Sequence, residues 1–174
     1  MTVVGARADL ALRKNEHVPD PVKIRFALDR DEDGWPPAES EGLWAMPLGG
    51  HLYRVDNTPW FVRGVAAEDT IEARLDEDGV AWFVQVRERG GRIVVRVIPR
   101  VDGPLGDSLP AVLERFAPFG VRGEGMSSPV NMVALDIGPD APLSSVKAVL
   151  VSGEVDGLWY FEEGCITEEW RVAS

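Results

Sequence analysis

The sequence predicts an α+β protein, with a small antiparallel β-barrel-like unit followed by a ferredoxin-like βαββαβ unit. Between residues 22 and 91, several short segments alternate apolar and polar residues, and tight turns without helical periodicity separate them. After residue 91 the order becomes strand, helix, strand, strand, helix, strand, which is typical of four strands backed by two helices. We therefore divide the chain into a flexible arm (1–21), an antiparallel β unit (22–91) and a ferredoxin-like unit (92–174).

Composition limits the classes of partner. Of the 174 residues, 45% are apolar and 27% are charged, as expected for a globular protein that buries its own core. The formal net charge is -11, and no cluster of lysines or arginines offsets it. Because binding to nucleic acid requires phosphates to be neutralised, we expect no nucleic-acid partner. The acidity either serves solubility alone or provides a face that docks a basic protein or peptide.

Cysteine usage and hydropathy predict a cytoplasmic protein without membrane contact. Cys165 is the single cysteine, so no internal disulfide can form and nothing indicates an oxidising compartment. No segment is apolar enough to span a bilayer, and the N-terminus lacks the basic and then apolar pattern of a signal peptide. The arm shows no sustained period and ends in Pro19-Asp20-Pro21, which breaks regular structure.

The first unit begins with a strand over 22–28, in which apolar and polar residues alternate. The acidic run 29–34 resembles a calcium loop, but Trp35-Pro36-Pro37 excludes the helix that would follow one, so we predict a solvated turn. Residues 43–46 and 51–55 predict a hairpin, and 61–65 predict a further short strand.

Aromatic side chains are dense in this stretch, and we expect them to be buried at the centre of the unit. They are Trp44, Tyr53, Trp60 and Phe61. Strands over 70–74 and 80–88 follow, joined by an acidic turn that ends at Gly79, with Trp82, Val84 and Val86 predicted on one face.

In the second unit, residues 92–99 predict a strand because they are rich in valine and isoleucine. A capping residue and an early proline at 107–110 precede an apolar stripe with helical spacing, so a helix is predicted up to Pro118. Strands are predicted over 121–126 and 130–137. A second helix is predicted from near Asp140 to Gly153, and a last strand over 158–161.

Several short motifs resemble a bacterial family known as domain of unknown function 4265. They are Asp33-Gly34-Trp35-Pro36-Pro37, Leu43-Trp44-Ala45, Tyr53 to Phe61, and Gly64-Val65 with Asp69 beyond. The resemblance covers most of residues 22–163, and Trp60 stands where a smaller or aliphatic residue is common in the family. It implies a bacterial cytoplasmic protein and carries over no catalytic residue.

No motif indicates a reaction, a cofactor or a metal. Carboxylates at 162 and 163 disfavour a thiolate at Cys165, and Ser127-Ser128 lacks the elbow of a nucleophilic serine. The histidines at 17 and 51 stand alone, so no metal site is expected. Cys165 is therefore interpreted as a packing residue, and the two histidines as exposed residues.

Two groups of residues remain candidates for a site. The first mixes polar and aromatic side chains as a ligand pocket does, and comprises Tyr53, Arg54, Asp56, Asn57, Trp60 and Arg63. Alternatively, its polar members bond to turns or pair with surface acids while its aromatic members belong to the core. The second group is Trp159, Tyr160, Glu162 and Glu163, with Glu168-Glu169-Trp170 beyond it. Tyr160 and Glu162 would share one face of a strand as an acid and base pair, or would be a plain exposed edge.

Two functions are compatible with these observations. The first is a non-catalytic acidic module that binds a protein or peptide. The second is a small metal-free enzyme of a specialised pathway, with a small-molecule ligand in a pocket between the units. Its acid and base residues would be Asp56, Tyr160 and Glu162, held by Trp60 and Trp159. A homodimer is also compatible with the sequence, because ferredoxin-like sheets often pair edge to edge.

Overall fold

The computed structural model describes residues 19–174 and shows a mixed α+β fold that consists mostly of strands. The predicted arm over 1–21 lies outside the described residues up to residue 18, and this part includes His17. The described chain forms a closed five-stranded barrel and then a four-stranded antiparallel sheet. The barrel-like unit predicted from the sequence is therefore present.

The barrel strands follow one another around the barrel in chain order. They are β1 (Val22–Ala27), β2 (Ser40–Gly49), β3 (Leu52–Val55), β4 (Thr70–Leu75) and β5 (Ala81–Glu88). Each strand is antiparallel to the next, whereas β1 and β5 close the barrel in parallel. Alternate residues point inward, so Ile24, Phe26 and Leu43 lie in a buried cluster with residues of the other strands.

Three expectations for the first unit are wrong. Residues 61–65 form no strand, because loop 56–69 is fixed by bonds to side-chain carboxylates instead of a strand partner. Trp44 is 47% exposed on the outside of the barrel. On β5 it is Phe83 and Val86 that pack against the core, because the register between β4 and β5 shifts twice and moves the inward face.

The second sheet and its helices complete the fold. Its elements are β6 (Ile93–Pro99), α1 (Leu109–Phe116), a short 3-10 turn (Ala117–Phe119), β7 (Arg122–Met126), β8 (Met132–Ile137), α2 (Leu143–Val155), β9 (Trp159–Cys165) and α3 (Glu168–Val172). The strands lie in the order β7-β8-β6-β9. One face of this sheet and the helices share a buried cluster that includes Val95, Leu135, Phe116 and Leu150.

Two features of the helices differ from the prediction. Helix α2 continues past Gly153 to Val155. Gly153 serves packing and does not end the helix, because a Cβ at this position would lie 2.0 Å from the Trp159 ring. Helix α3 was not predicted, although Thr167 caps it and its Trp170 is fully buried. At α1 the expected cap is present, since the Ser108 hydroxyl accepts a bond of 3.2 Å from the Ala111 N–H.

The opposite face of the sheet meets the barrel through loop 56–69. A small cluster of Ala66, Val94 and Cys165 is buried at this junction, apart from the larger clusters of the barrel and the helix-covered sheet. The N–H of Gly64 donates to the carbonyl of Gly164 on β9 over 2.8 Å. Loop 56–69 therefore positions the two parts of the molecule relative to each other.

Candidate functional site

A polar cleft of about 760 Å³ lies at the junction, between the end of β3 with loop 56–69 and the strands β7 and β8. We call it the junction cleft. Its charged lining residues are Arg54, Asp56, Glu68, Arg92, Arg122, Glu124 and Asp136. Three guanidinium groups thus share the cleft with four carboxylates.

The barrel wall of the cleft is an extension of the β2–β3 pairing. The N–H of Asp56 donates to the carbonyl of Trp44 over 2.8 Å, and the Asn57 side-chain oxygen accepts from the Trp44 N–H over 2.7 Å. Asn57 therefore holds the start of loop 56–69 on β2, through a strand residue 13 positions away in the sequence. Arg54 and Asp56, on either side of buried Val55, keep their charged groups exposed.

The sheet wall is organised by one ion pair. The Arg92 guanidinium donates two bonds of 2.6 Å to the Asp136 carboxylate, and its Nη1 lies 3.3 Å from Glu68. Hydrogen bonding to Asp136 raises the pKa of Arg92 above its ordinary value. Arg122 on β7 is 3.8 Å from the same carboxylate. Because Arg92 and Asp136 neutralise each other, this pair contributes little free charge to the cleft, and Arg122 keeps an exposed guanidinium beside it.

The free charges of the junction cleft lie around that pair. Among residues 19–174, the carboxylates of Asp56 and Glu124 have no ion-pair partner within 4.0 Å, and neither does the guanidinium of Arg54. The cleft therefore offers a ligand two unpaired negative groups, one unpaired positive group, and the exposed guanidinium of Arg122, whose one ionic contact among the described residues is the 3.8 Å approach to the already paired Asp136.

Two carboxylates that were not among the predicted site residues fix the loop that carries the cleft. Glu41 on β2 accepts hydrogen bonds of 2.6, 2.8 and 2.9 Å from the consecutive N–H groups of residues 60–62. Asp69 is 1% exposed and accepts from the N–H groups of Ala66 and Gly90 and from the Arg89 guanidinium. No local sequence pattern identifies either role, because the donors are distant in sequence or become aligned only in the folded loop.

The second predicted group lies at the other edge of the sheet and is largely engaged in packing. Glu162 binds Arg63 over 2.7 Å and the buried Arg96 over 2.8 Å, which ties loop 56–69 to β9. Trp159 is buried, and its indole N–H donates to the Leu150 carbonyl over 3.0 Å. Tyr160 is exposed, with the Arg100 guanidinium 5.3 Å from its ring centre.

The structure thus brings only part of the predicted set together. Arg54, Asp56 and Asn57 line the junction cleft, whereas Tyr160 and Glu162 do not. Tyr53 packs on the barrel core and Arg63 lies near Glu162. Trp60 is half-buried, and its N–H is held by Glu41. An acid–base role for Asp56 with Tyr160 and Glu162 therefore has no shared cleft to support it.

The other residues considered for chemistry occupy ordinary positions. Burial, together with the nearby Asp69 carboxylate, raises the pKa of the Cys165 thiol, which opposes thiolate formation at neutral pH. His51 is exposed in the turn between β2 and β3. Within residues 19–174, no three histidine, cysteine, aspartate or glutamate side chains are grouped so that they could hold a metal ion.

Comparisons with known proteins concern family and fold. The profile of a family described as "Domain of unknown function (DUF4265)" matches residues 41–161. A solved structure described as "Novel crystal structure of a hypothetical protein from Neisseria gonorrhoeae" is similar in fold, with a TM-score of 0.68 at 15% sequence identity. The similarity covers 86% of this chain and 97% of that chain. No curated protein matches the sequence. In the described part of the chain, no helix has both the length and the apolar character needed to cross a membrane.

Proposed function

The chain belongs to the DUF4265 family, as its motifs predicted, and we propose that it is a non-catalytic module that binds a basic peptide segment of a partner protein in the junction cleft. The observation that carries this proposal is the unpaired charge of the cleft. Asp56 and Glu124 have no cationic partner among residues 19–174. Lysine or arginine side chains of a bound peptide would supply that charge.

The shape and polarity of the cleft favour a peptide over a compact metabolite. Small-molecule pockets are mostly apolar and enclose most of their ligand. The junction cleft is lined by seven charged residues and lies open along the edge strand β7. A peptide that crosses it in an extended conformation can place charged side chains against both walls, and the unpaired Arg54 would accept an acidic neighbour in the same segment.

We also propose how the chain is divided into units. We infer that residues 22–91 and 92–174 are two units and that the second is ferredoxin-like. The order β7-β8-β6-β9 and the helices α1 and α2 between strands support this.

The family resemblance and the absence of any disulfide partner for Cys165 support a bacterial, cytoplasmic setting.

A selection from a random peptide library displayed on phage tests the proposal. We expect the protein to enrich peptides that carry lysine or arginine, and their affinity, measured by fluorescence anisotropy, to fall as salt is raised. The double variant D56N/E124Q removes the two unpaired charges at nearly unchanged side-chain size. It should weaken binding by about 5- to 30-fold, because each exposed ion pair contributes up to about 1 kcal/mol.

The matched control is E114Q/D140N, which removes two exposed carboxylates that do not line the cleft. It reduces the net negative charge by the same amount and should leave affinity within about twofold, since neither carboxylate lines the cleft and both act on a bound peptide only through screening solvent. Enrichment of peptides without basic residues would contradict the proposal. So would equal affinity losses in the two double variants, because binding would then follow net charge and not the cleft.

A further inference from the structure

A second cavity opens at the end of the barrel that faces loop 56–69, separate from the junction cleft. It has a volume of about 320 Å³, and its lining includes four aromatic side chains and two exposed carboxylates. They are Phe26, Trp35, Phe61, Phe83, Asp29 and Asp31. We call this cavity the aromatic pocket.

The aromatic rings are arranged as walls and floor. Trp35 and Phe61 meet edge to face, with ring centres 5.6 Å apart and planes at 80°. Phe26 and Phe83, on β1 and β5, are stacked with centres 4.7 Å apart. Because the Trp35 and Phe61 planes stand at right angles, these two rings cannot both stack on one flat ligand, which suits a rounded ligand better.

The walls are held in place by local hydrogen bonds. Asp31 Oδ1 accepts from the N–H groups of Asp33 and Trp35 over 3.0 and 2.8 Å, which closes the turn that carries Trp35. The Arg30 guanidinium binds the carbonyls of Gly34 and Pro36 across the same turn. Phe61 is held through its N–H by Glu41. The pocket is therefore formed before any ligand arrives, which lowers the entropic cost of binding.

The electrostatics of the aromatic pocket favour a cation. Among residues 19–174, Asp29 and Asp31 have no ion-pair partner, and Asp31 uses only one of its two oxygens in the turn. Among the described residues, the one cationic side chain that lines the pocket is Arg63, and its pairing with Glu162 at 2.7 Å compensates its charge. The nearby Arg30 guanidinium is turned onto the carbonyls of Gly34 and Pro36. Aromatic π faces and nearby carboxylates both attract a positive group.

We propose that the aromatic pocket binds an alkylated ammonium group, either a methylated lysine side chain or a free quaternary amine. A guanidinium is flat, and a primary ammonium is strongly hydrated, so its transfer into an aromatic pocket costs more free energy. Alkyl groups on the nitrogen spread the charge and contact the rings directly. This site and its ligand do not depend on the junction cleft.

Choline is the first probe, and the neutral molecule of the same shape, 3,3-dimethylbutan-1-ol, is its control. We expect choline to bind saturably by isothermal titration calorimetry, with its N-methyl proton signals moved upfield by the aromatic rings. The neutral analogue should bind about tenfold more weakly, because it lacks the cation–π attraction. Equal binding of the two compounds, or no binding of choline at millimolar concentration, would overturn the proposal.

Variants locate the binding within the molecule. W35A should abolish the upfield shift, whereas W44A, which removes an exposed tryptophan elsewhere on the same barrel, should leave it unchanged. D29N/D31N keeps the side-chain oxygen that closes the turn and should weaken choline about fivefold through loss of charge alone. Retained affinity in both W35A and D29N/D31N would place the cation elsewhere and overturn the proposal.

The two sources of the ligand are distinguished by comparing choline with a short peptide that carries trimethyllysine. Tighter binding of the peptide identifies a methylated protein as the ligand, and tighter binding of choline identifies a free amine. Both results support an alkylammonium site. D56N/E124Q should leave choline binding unchanged, so failure of the junction cleft proposal and failure of this one are separately visible.

Discussion

Substitution of Glu41 by glutamine tests whether one carboxylate holds the loop between the barrel and the second sheet. Its two oxygens accept three N–H bonds, with Oε1 taking Trp60 and Oε2 taking Phe61 and Val62. A glutamine can keep the two bonds on the Oε2 side. Its NH2 group would then face the Trp60 N–H, so two donors would oppose each other and one N–H would lose its partner.

The magnitude follows from the number of bonds affected. A hydrogen bond to a charged group contributes about 1.5 to 3 kcal/mol, and a neutral one about 1 kcal/mol. One bond is lost in E41Q and two lose their charge, so with each bond at the low end of its range we expect the free energy of unfolding to fall by about 2.5 kcal/mol. For a chain of this size that corresponds to a decrease of roughly 5 to 10 °C in Tm.

Thermal and urea unfolding of E41Q and wild type measure the loss, and E39Q is the matched control. Glu39 is exposed immediately before β2 and makes no side-chain hydrogen bond among the described residues, so its substitution should change stability by less than about 0.5 kcal/mol. Amide hydrogen exchange adds a local readout, since protection of residues 60–62 should fall first. Equal stabilities of E41Q and E39Q, with unchanged protection at 60–62, would refute the reasoning.

Three further predictions concern other buried contacts. Bonds from Arg74, Arg87 and Gln85 lower the pKa of Glu72 from 4.5 to about 2. Because the folded pKa is the lower one, the stabilisation is present above about pH 4.5 and is lost as the pH falls towards 2, so unfolding midpoints of E72Q should vary less with pH over that range. G153A should destabilise the protein by about 1 to 3 kcal/mol or more in urea unfolding, because the new Cβ overlaps the Trp159 ring. R96M should cost about 1 to 3 kcal/mol in the same assay, since Glu162 keeps Arg63 but loses Arg96, and the Val62 carbonyl loses its donor.

Each of these has an exposed control on a neighbouring part of the chain. E77Q lies in the turn after β4, V151A on the outer side of α2, and R122M on the edge strand β7. An E72Q profile parallel to that of wild type, a G153A protein as stable as V151A, or an R96M protein as stable as R122M would contradict the respective prediction.

Local periodicity made much of the fold predictable. Strands β1 and β4 alternate apolar and polar residues, and α1 has a capping serine before an apolar stripe, so each element is recognisable from its own residues. The inward face of β5 was not predictable, because the bulges opposite β4 change which residues point inward. The exposure of Trp44 was missed for a related reason. An aromatic residue in a strand is usually buried, but the register of the strand decides whether its side chain lies inside or outside the barrel.

The residues of the candidate site were likewise only partly predictable from the sequence. Arg54, Asp56 and Asn57 were selected from the sequence because polar residues stood among aromatics near a turn, and they do line the junction cleft. Arg92 and Asp136, which line the other wall of the cleft, carry no local signal, since each looks like an ordinary charged residue at a strand end. Tyr160 and Glu162 were also candidates in the sequence, yet they lie on β9 and outside this cleft.

By itself, the sequence determined the acidic character, the family and the alternation of strands and helices, because composition, motifs and local periods are properties of neighbouring residues. Only the tertiary structure decided which distant charges meet. Glu41 and Asp69 hold loop 56–69, which also bonds to β9. The two ends of this loop line the junction cleft, and its middle lines the aromatic pocket. Long-range strand order and bulges set these contacts, and neither is encoded in a local pattern.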